Sequence, residues 1–164
     1  MLRKAAAPLL IFAAFLLDTA VLPFLIHSLY IPLLSLIGVI VIGLLMGRTR
    51  GFLAGMAAGL LLDLTVSSPV GMNVLLFTAA GAIAGFAGRR FRKRMMTTVV
   101  VPLVCFVLYE SVLLIYAAMA GLEVTGGTVL VTAVRCAINT VFTQILYLPY
   151  AKLLRPAWSR YTDA

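Results

Sequence analysis

The residues Gly51–Gly88, GFLAGMAAGLLLDLTVSSPVGMNVLLFTAAGAIAGFAG, decide the fold. Gly51, Gly55 and Gly59 recur every four residues and the series ends on Asp63, so one narrow helix face is stripped of side chains and then carries an acid. Such a face lets a second backbone approach closely. The polar turn Ser67, Ser68, Pro69 follows, and a second apolar run opens at Gly71 and ends in its own small-residue series, Gly81, Ala84, Gly85 and Gly88. The stretch reads as a helical hairpin within a membrane, two spans built for contact across a tight turn.

Working outward, the rest of the chain has the same character. Hydrophobic residues make up 63% of the 164 and charged residues 11%, against roughly 45–50% and 25% in a soluble domain. Apolar runs cover approximately 5 to 26, 30 to 47, 51 to 67, 71 to 88, 96 to 120 and 127 to 150. Long apolar runs are helices, because a bilayer core offers backbone groups no water. The fold class is therefore an all-α polytopic membrane protein, a single domain over residues 1–164 with six transmembrane helices. The third run is short and fits a thin crossing or a re-entrant segment. Arg3 and Lys4 before an apolar run resemble a secretory signal, but the run is long, contains Asp18 and lacks a small-residue cleavage site, so it reads as a retained first helix.

Basic residues set the orientation. Arg3 and Lys4, then Arg48 and Arg50, then Arg89, Arg90, Arg92, Lys93 and Arg94, then Lys152, Arg155 and Arg160 occupy alternate ends of the spans. The opposite loops, around His27–Ile31, Ser67–Val70 and Gly121–Gly126, hold no Lys or Arg, so the positive-inside rule puts both termini in the cytoplasm. The net charge of +8 is thus a topology signal and excludes a nucleic-acid reading. The run RRFRKR over 89–94 reads first as a basic loop attracted to membrane phospholipids, and Tyr150, Trp158 and Tyr161 read as an interfacial belt.

Four charged residues lie inside spans: Asp18, Asp63, Glu110 and Arg135. Each costs about 2.5–3.5 kcal/mol at mid-membrane on insertion scales, so they point inward and pair or are neutralised. Counted along the helices they share one layer, roughly 6 to 15 Å below the outer surface. Arg135 is the one cation for three acids, and the glycine face beside Asp63 makes that acid its expected partner, with Asp18 second. Such a network serves to hold helices in register; an ion or substrate path is the rival use. Asn139, Thr140, Thr143 and Gln144 follow at helical spacing and are expected to hydrogen-bond between helices.

Catalytic constellations are absent from the sequence. His27 is the one histidine, Cys105 and Cys136 sit within apolar runs, and no H-E-x-x-H, G-x-S-x-G or P-loop pattern occurs. The chain reads as a non-enzyme with no cofactor and no metal.

The hairpin, with its glycine-rich end and the basic loop after it, resembles the signature segment of the rod-shape-determining MreD family. The similarity rests on Gly51, Phe52, Gly55 or Gly59, Asp63, Gly71 and Leu75, with Asn139 similar in the last span. Two departures stand out: Pro32 is followed by Leu33 and Leu34 where a polar residue is frequent, and Asp18 replaces a frequent glutamine. The resemblance implies a multi-pass subunit of the cell-elongation machinery in a bacterial inner membrane. Its implied partners are the bitopic scaffold MreC, a SEDS glycosyltransferase with its transpeptidase, and MreB filaments through the complex. It also implies the six-helix fold of the substrate-binding S components of energy-coupling-factor vitamin transporters, which gives the alternative function. Against that alternative, residues 5–26 contain no A-x-x-x-A pair and the outer loops are short.

Overall fold

The computed structural model describes residues 6–21, 32–65, 71–90 and 94–158. Within them lie six helices: α1 (Ala6–Leu16), which widens into a π turn over Leu17–Val21, α2 (Leu34–Met46), α3 (Arg48–Thr65), α4 (Met72–Arg90), α5 (Arg94–Met119) and α6 (Gly126–Trp158). Three are long and apolar enough to cross a membrane: Met72–Arg90, Thr97–Met119 and Gly126–Lys152. The segments Pro8–Ala20 and Leu34–Met46 are apolar but shorter. Helix α3 carries Arg48, Arg50 and Asp63 within its 18 residues, which takes it out of that class. The expected residues Arg3, Lys4, His27, Ser67–Pro69, Arg92, Lys93, Arg160 and Tyr161 fall outside the described residues, as do the side chains of Arg94, Arg155 and Trp158.

Helix boundaries differ from the sequence reading where local chemistry intervenes. Helix α2 starts at Leu34, with Pro32 and Leu33 outside it, where the apolar run reads from about residue 30. Helix α3 starts at Arg48 instead of Gly51, since a single residue, Gly47 at φ +89°, turns the chain out of α2 and straight into α3. Helix α6 runs past residue 150 to Trp158.

The axis of the molecule is α2 and not the glycine-rich hairpin. Leu36, Ile37, Val39, Ile40 and Val41 are 0% exposed, and α2 touches each of the other five helices. A helix that is apolar on every side has no solvent face to present and goes to the centre. Its sequence LSLIGVIVIGLLM has one polar residue, Ser35. Helices α3 and α4 pack against it as a pair, α6 also lies along it, and α5 packs mainly against α4 and α6; Val101, Cys105, Phe106, Cys136 and Thr143 are buried.

Pro102 lies inside α5. Proline has no N–H to give the carbonyl four residues earlier, which is that of Thr98. The Gln144 amide of α6 donates to this carbonyl instead, a repair that an apolar surround requires. Gln144→Leu removes the donor, and a stability loss of about 1–2 kcal/mol is expected in a detergent-denaturation titration. An unchanged midpoint would mean the carbonyl gains nothing from α6.

Candidate functional site: a layer of polar ties between helices

The α3–α4 contact is a glycine seam. A methyl group at Gly51 would run into the Gly81 carbonyl, one at Gly55 into the Phe77 carbonyl, and one at Gly59 into Val74 Cα, 2.5 Å away. Partners fall in number as the glycines rise, so the two helices are antiparallel. From the α4 side, a methyl at Gly81 meets the Gly51 carbonyl and one at Gly85 meets Arg48 Cα. Helix α2 joins the seam at Gly43, whose added methyl would stand 2.7 Å from the Gly81 carbonyl.

At the end of the seam Asp63, 8% exposed, caps the start of α4. Its Oδ2 accepts the N–H groups of Gly71 (3.0 Å) and Val74 (3.1 Å), and Oδ1 accepts that of Asn73 (3.2 Å). The first N–H groups of a helix have no partner within the helix, and their dipole end favours an anion. Gly71, at φ +97°, takes the left-handed backbone that glycine tolerates best and aims its own N–H at the carboxylate. Asn73 continues the chain of bonds: its Oδ1 accepts the Tyr109 hydroxyl of α5 at 3.1 Å. The Tyr109 ring meets Phe77 edge-on at 5.9 Å.

Asp18 does the same for α2 from the π turn after α1. Its two oxygens accept the N–H groups of Leu34 (2.8 Å) and Ser35 (2.6 Å). The next donor outward, the Leu33 N–H, goes to Asn139 Oδ1 of α6 at 2.9 Å. Thus α1 and α6 both hold the N-terminus of the central helix.

The third tie is ionic. Glu110 of α5, 5% exposed, lies 3.3 Å from Nε of Arg135 on α6, which is 33% exposed. That Nε has no hydrogen-bond partner, so the contact is Coulombic without an aligned N–H. The expected pairing of Arg135 with Asp63, or failing that with Asp18, is therefore corrected. Both acids already direct both their oxygens at backbone N–H groups of the following helix, and the guanidinium is left to the acid on its own hairpin partner. Of the four polar residues expected to bond between helices, Asn139 and Gln144 do so. Thr140 and Thr143 instead turn back on the carbonyls of Cys136 and Asn139 within α6, the local habit of threonine in helices.

Measured from the helix ends that carry Arg48, Arg89, Arg94 and Lys152, the three ties lie about 18 to 26 Å along the helices, one layer. Asn73, Tyr109 and the Pro102–Gln144 repair were not singled out from sequence. Asn73 had a signal in its place two residues after Gly71, and Gln144 had one in a proline on the neighbouring helix. Among the described residues no group of three or more His, Cys, Asp or Glu stands close enough to hold a metal ion. The polar groups of this layer act on backbone and on each other, joining α1 to α2, α3 to α4, α4 to α5, α5 to α6 and α6 to α2.

Comparison with known families matches the chain over residues 3–157 to the family described as rod shape-determining protein MreD. No curated protein and no solved structure matches it significantly.

Proposed function

Because the chain belongs to the family of rod shape-determining protein MreD, whose role is in rod-shape determination, we propose that it is a non-enzymatic, multi-pass subunit of the bacterial cell-elongation complex. In this reading it lies in the inner membrane with six spans and both termini in the cytoplasm. It holds an MreC-like bitopic scaffold and the SEDS glycosyltransferase with its transpeptidase, and it links them to MreB filaments through the complex. The family match over nearly the whole chain carries the reading. Support comes from a helix bundle whose intramembrane acids are engaged in tying helices together, as a rigid platform requires.

A tagged copy recovered from its own membranes is expected to bring down the MreC-like scaffold and wall synthases. Recovery of paired ATPases with a transmembrane coupling protein would replace this reading with vitamin transport. For the topology, cysteines placed at Ser68 and Thr125 in a variant lacking Cys105 and Cys136 are expected to label from outside with an impermeant reagent. Labelling at Lys93 from that side would overturn the six-span arrangement.

A further inference from the structure

The α3–α4 hairpin has two sides. Successive helical residues turn by about 100°, and in an antiparallel pair one step beyond the contact line turns to the same side on both helices. One side faces α2, where Ala84 of α4 is fully buried and stands beside Gly43. On the other side, one step past Gly51, Gly55 and Gly85, lie Phe52, Met56 and Phe86, which are 44%, 44% and 57% exposed. This open side is headed at one end by arginines: Arg48 stands one helical turn from Phe52, and Arg90 one turn from Phe86. The guanidinium of Arg89 is brought in as well. A methyl on Gly47 would lie 2.9 Å from its Nε, so it rests on the residue next to Arg48. Arg48, Arg89 and Arg90 are exposed.

These cations are not answered from within the described residues. Asp18, Asp63 and Glu110 belong to the layer some 18 to 26 Å away along the helices, and Glu123 lies in the connection between α5 and α6. The helix ends that meet at this corner offset little: the C-termini of α2 and α4 each supply about −0.5 charge and the N-terminus of α3 about +0.5. Positive-inside topology explains why basic residues occupy this end. It does not require the Arg89 guanidinium to lie against Gly47 beside Arg48, nor arginines to crown an aromatic stripe on one open side of the hairpin. A cationic head above an apolar, aromatic strip complements a molecule with an anionic head and hydrocarbon chains.

We propose that this side of the α3–α4 hairpin is a binding site for an anionic membrane phospholipid. Its phosphate sits between Arg48 and Arg89, within reach of Arg90, and its acyl chains lie along Phe52, Met56 and Phe86. The assignment stands apart from which proteins the chain assembles with.

The test uses the purified full-length protein in nanodiscs or detergent, with lipid retention read by native mass spectrometry. Wild type is expected to retain phosphatidylglycerol in preference to phosphatidylcholine. The Arg48→Gln/Arg89→Gln double variant should weaken that retention by about thirtyfold, as the loss of two arginines at an anionic surface implies. Arg48→Lys/Arg89→Lys should keep most of it, and Lys152→Gln, at the same end on α6, should change nothing. Helix content by circular dichroism separates loss of the site from loss of the fold. Phe52→Ala/Phe86→Ala should lower retention of the long-chain lipid while leaving the preference for the charged head. Equal retention by wild type and the folded double glutamine variant would overturn the proposal. So would displacement of the lipid by millimolar inorganic phosphate, which would make the corner a simple anion site. Loss of lipid in the Lys152→Gln variant to the same degree would reduce the effect to overall charge.

Discussion

Gly55→Leu is expected to prevent the bundle from accumulating in the membrane. Even a single methyl at this position collides with the Phe77 carbonyl and comes within 2.6 Å of its carbon and 2.8 Å of Thr78 Cα. These are backbone atoms, which cannot swing aside as the end of a long side chain does. Relief therefore requires α3 and α4 to separate along the seam, and separation pulls Asp63 away from the three N–H groups that it holds at the far end. Overpacking of a core usually costs about 1–3 kcal/mol. Here the lost cap adds to it, so the total exceeds about 3 kcal/mol. Gly59→Leu, which meets Val74 Cα and the Asn73 carbonyl, should behave alike. Gly126→Ala is the control, since nothing lies within 4 Å of its added methyl and its backbone is not left-handed. Abundance in membranes, together with a denaturation midpoint for whatever is recovered, measures the effect. Wild-type levels of Gly55→Leu would mean that the seam opens at little cost.

How much of this was legible follows from where the information sits in the chain. The glycine seam was readable because its period of four is local and its residues have only one property, the lack of a side chain. Position, more than chemistry, governed the polar ties. Asp18, Asp63 and Glu110 recur about 45 residues apart, each on the first helix of a successive pair, and each is tied to the second helix of its own pair. In an antiparallel pair, residues equally far from the turn meet. Glu110 is as many residues before the end of α5 as Arg135 is after the start of α6, and Asp63 and Asn73 flank residues 66–70 evenly. That symmetry would have assigned Arg135 to Glu110. The room beside the glycine face favoured Asp63, but that reading counted only side chains and left out the N–H groups at the start of α4, which in an apolar surround need an acceptor as much as a guanidinium does. The central place of α2 was written in its lack of any polar face, but that signal is a uniform one and is easily passed over beside a patterned hairpin. The path of α1 into a π turn has no signature that composition reveals.

The Asp63 cap and the Glu110–Arg135 pair differ in the partners they use, and substitutions separate them. Asp63→Asn keeps the shape of the side chain but replaces an accepting oxygen with an NH2 group that faces backbone donors. Hydrogen bonds to a charged group contribute about 1.5–3 kcal/mol each, so a loss of at least about 2 kcal/mol is expected. Adding Arg135→Gln should bring no recovery, because the guanidinium has no part in this cap, and the two changes should add within about 0.5 kcal/mol. Glu110→Gln behaves differently. It leaves Arg135 without its counter-charge, and breaking a buried pair from one side typically costs about 3–5 kcal/mol. Arg135 is a third exposed, so solvent or lipid head groups screen part of that cost and about 1–3 kcal/mol is the expected loss. Here Arg135→Gln should restore much of the stability, with a coupling of about 0.5 kcal/mol or more between the two sites. Detergent-denaturation midpoints of the six proteins, wild type included, decide the matter. If Arg135→Gln rescues Asp63→Asn and leaves Glu110→Gln unimproved, the guanidinium is paired with Asp63 in the membrane and the tie between α5 and α6 does not form. If every variant is as stable as wild type while rod shape is lost in all, the layer does its work on a ligand or an ion and not on the helices that carry it.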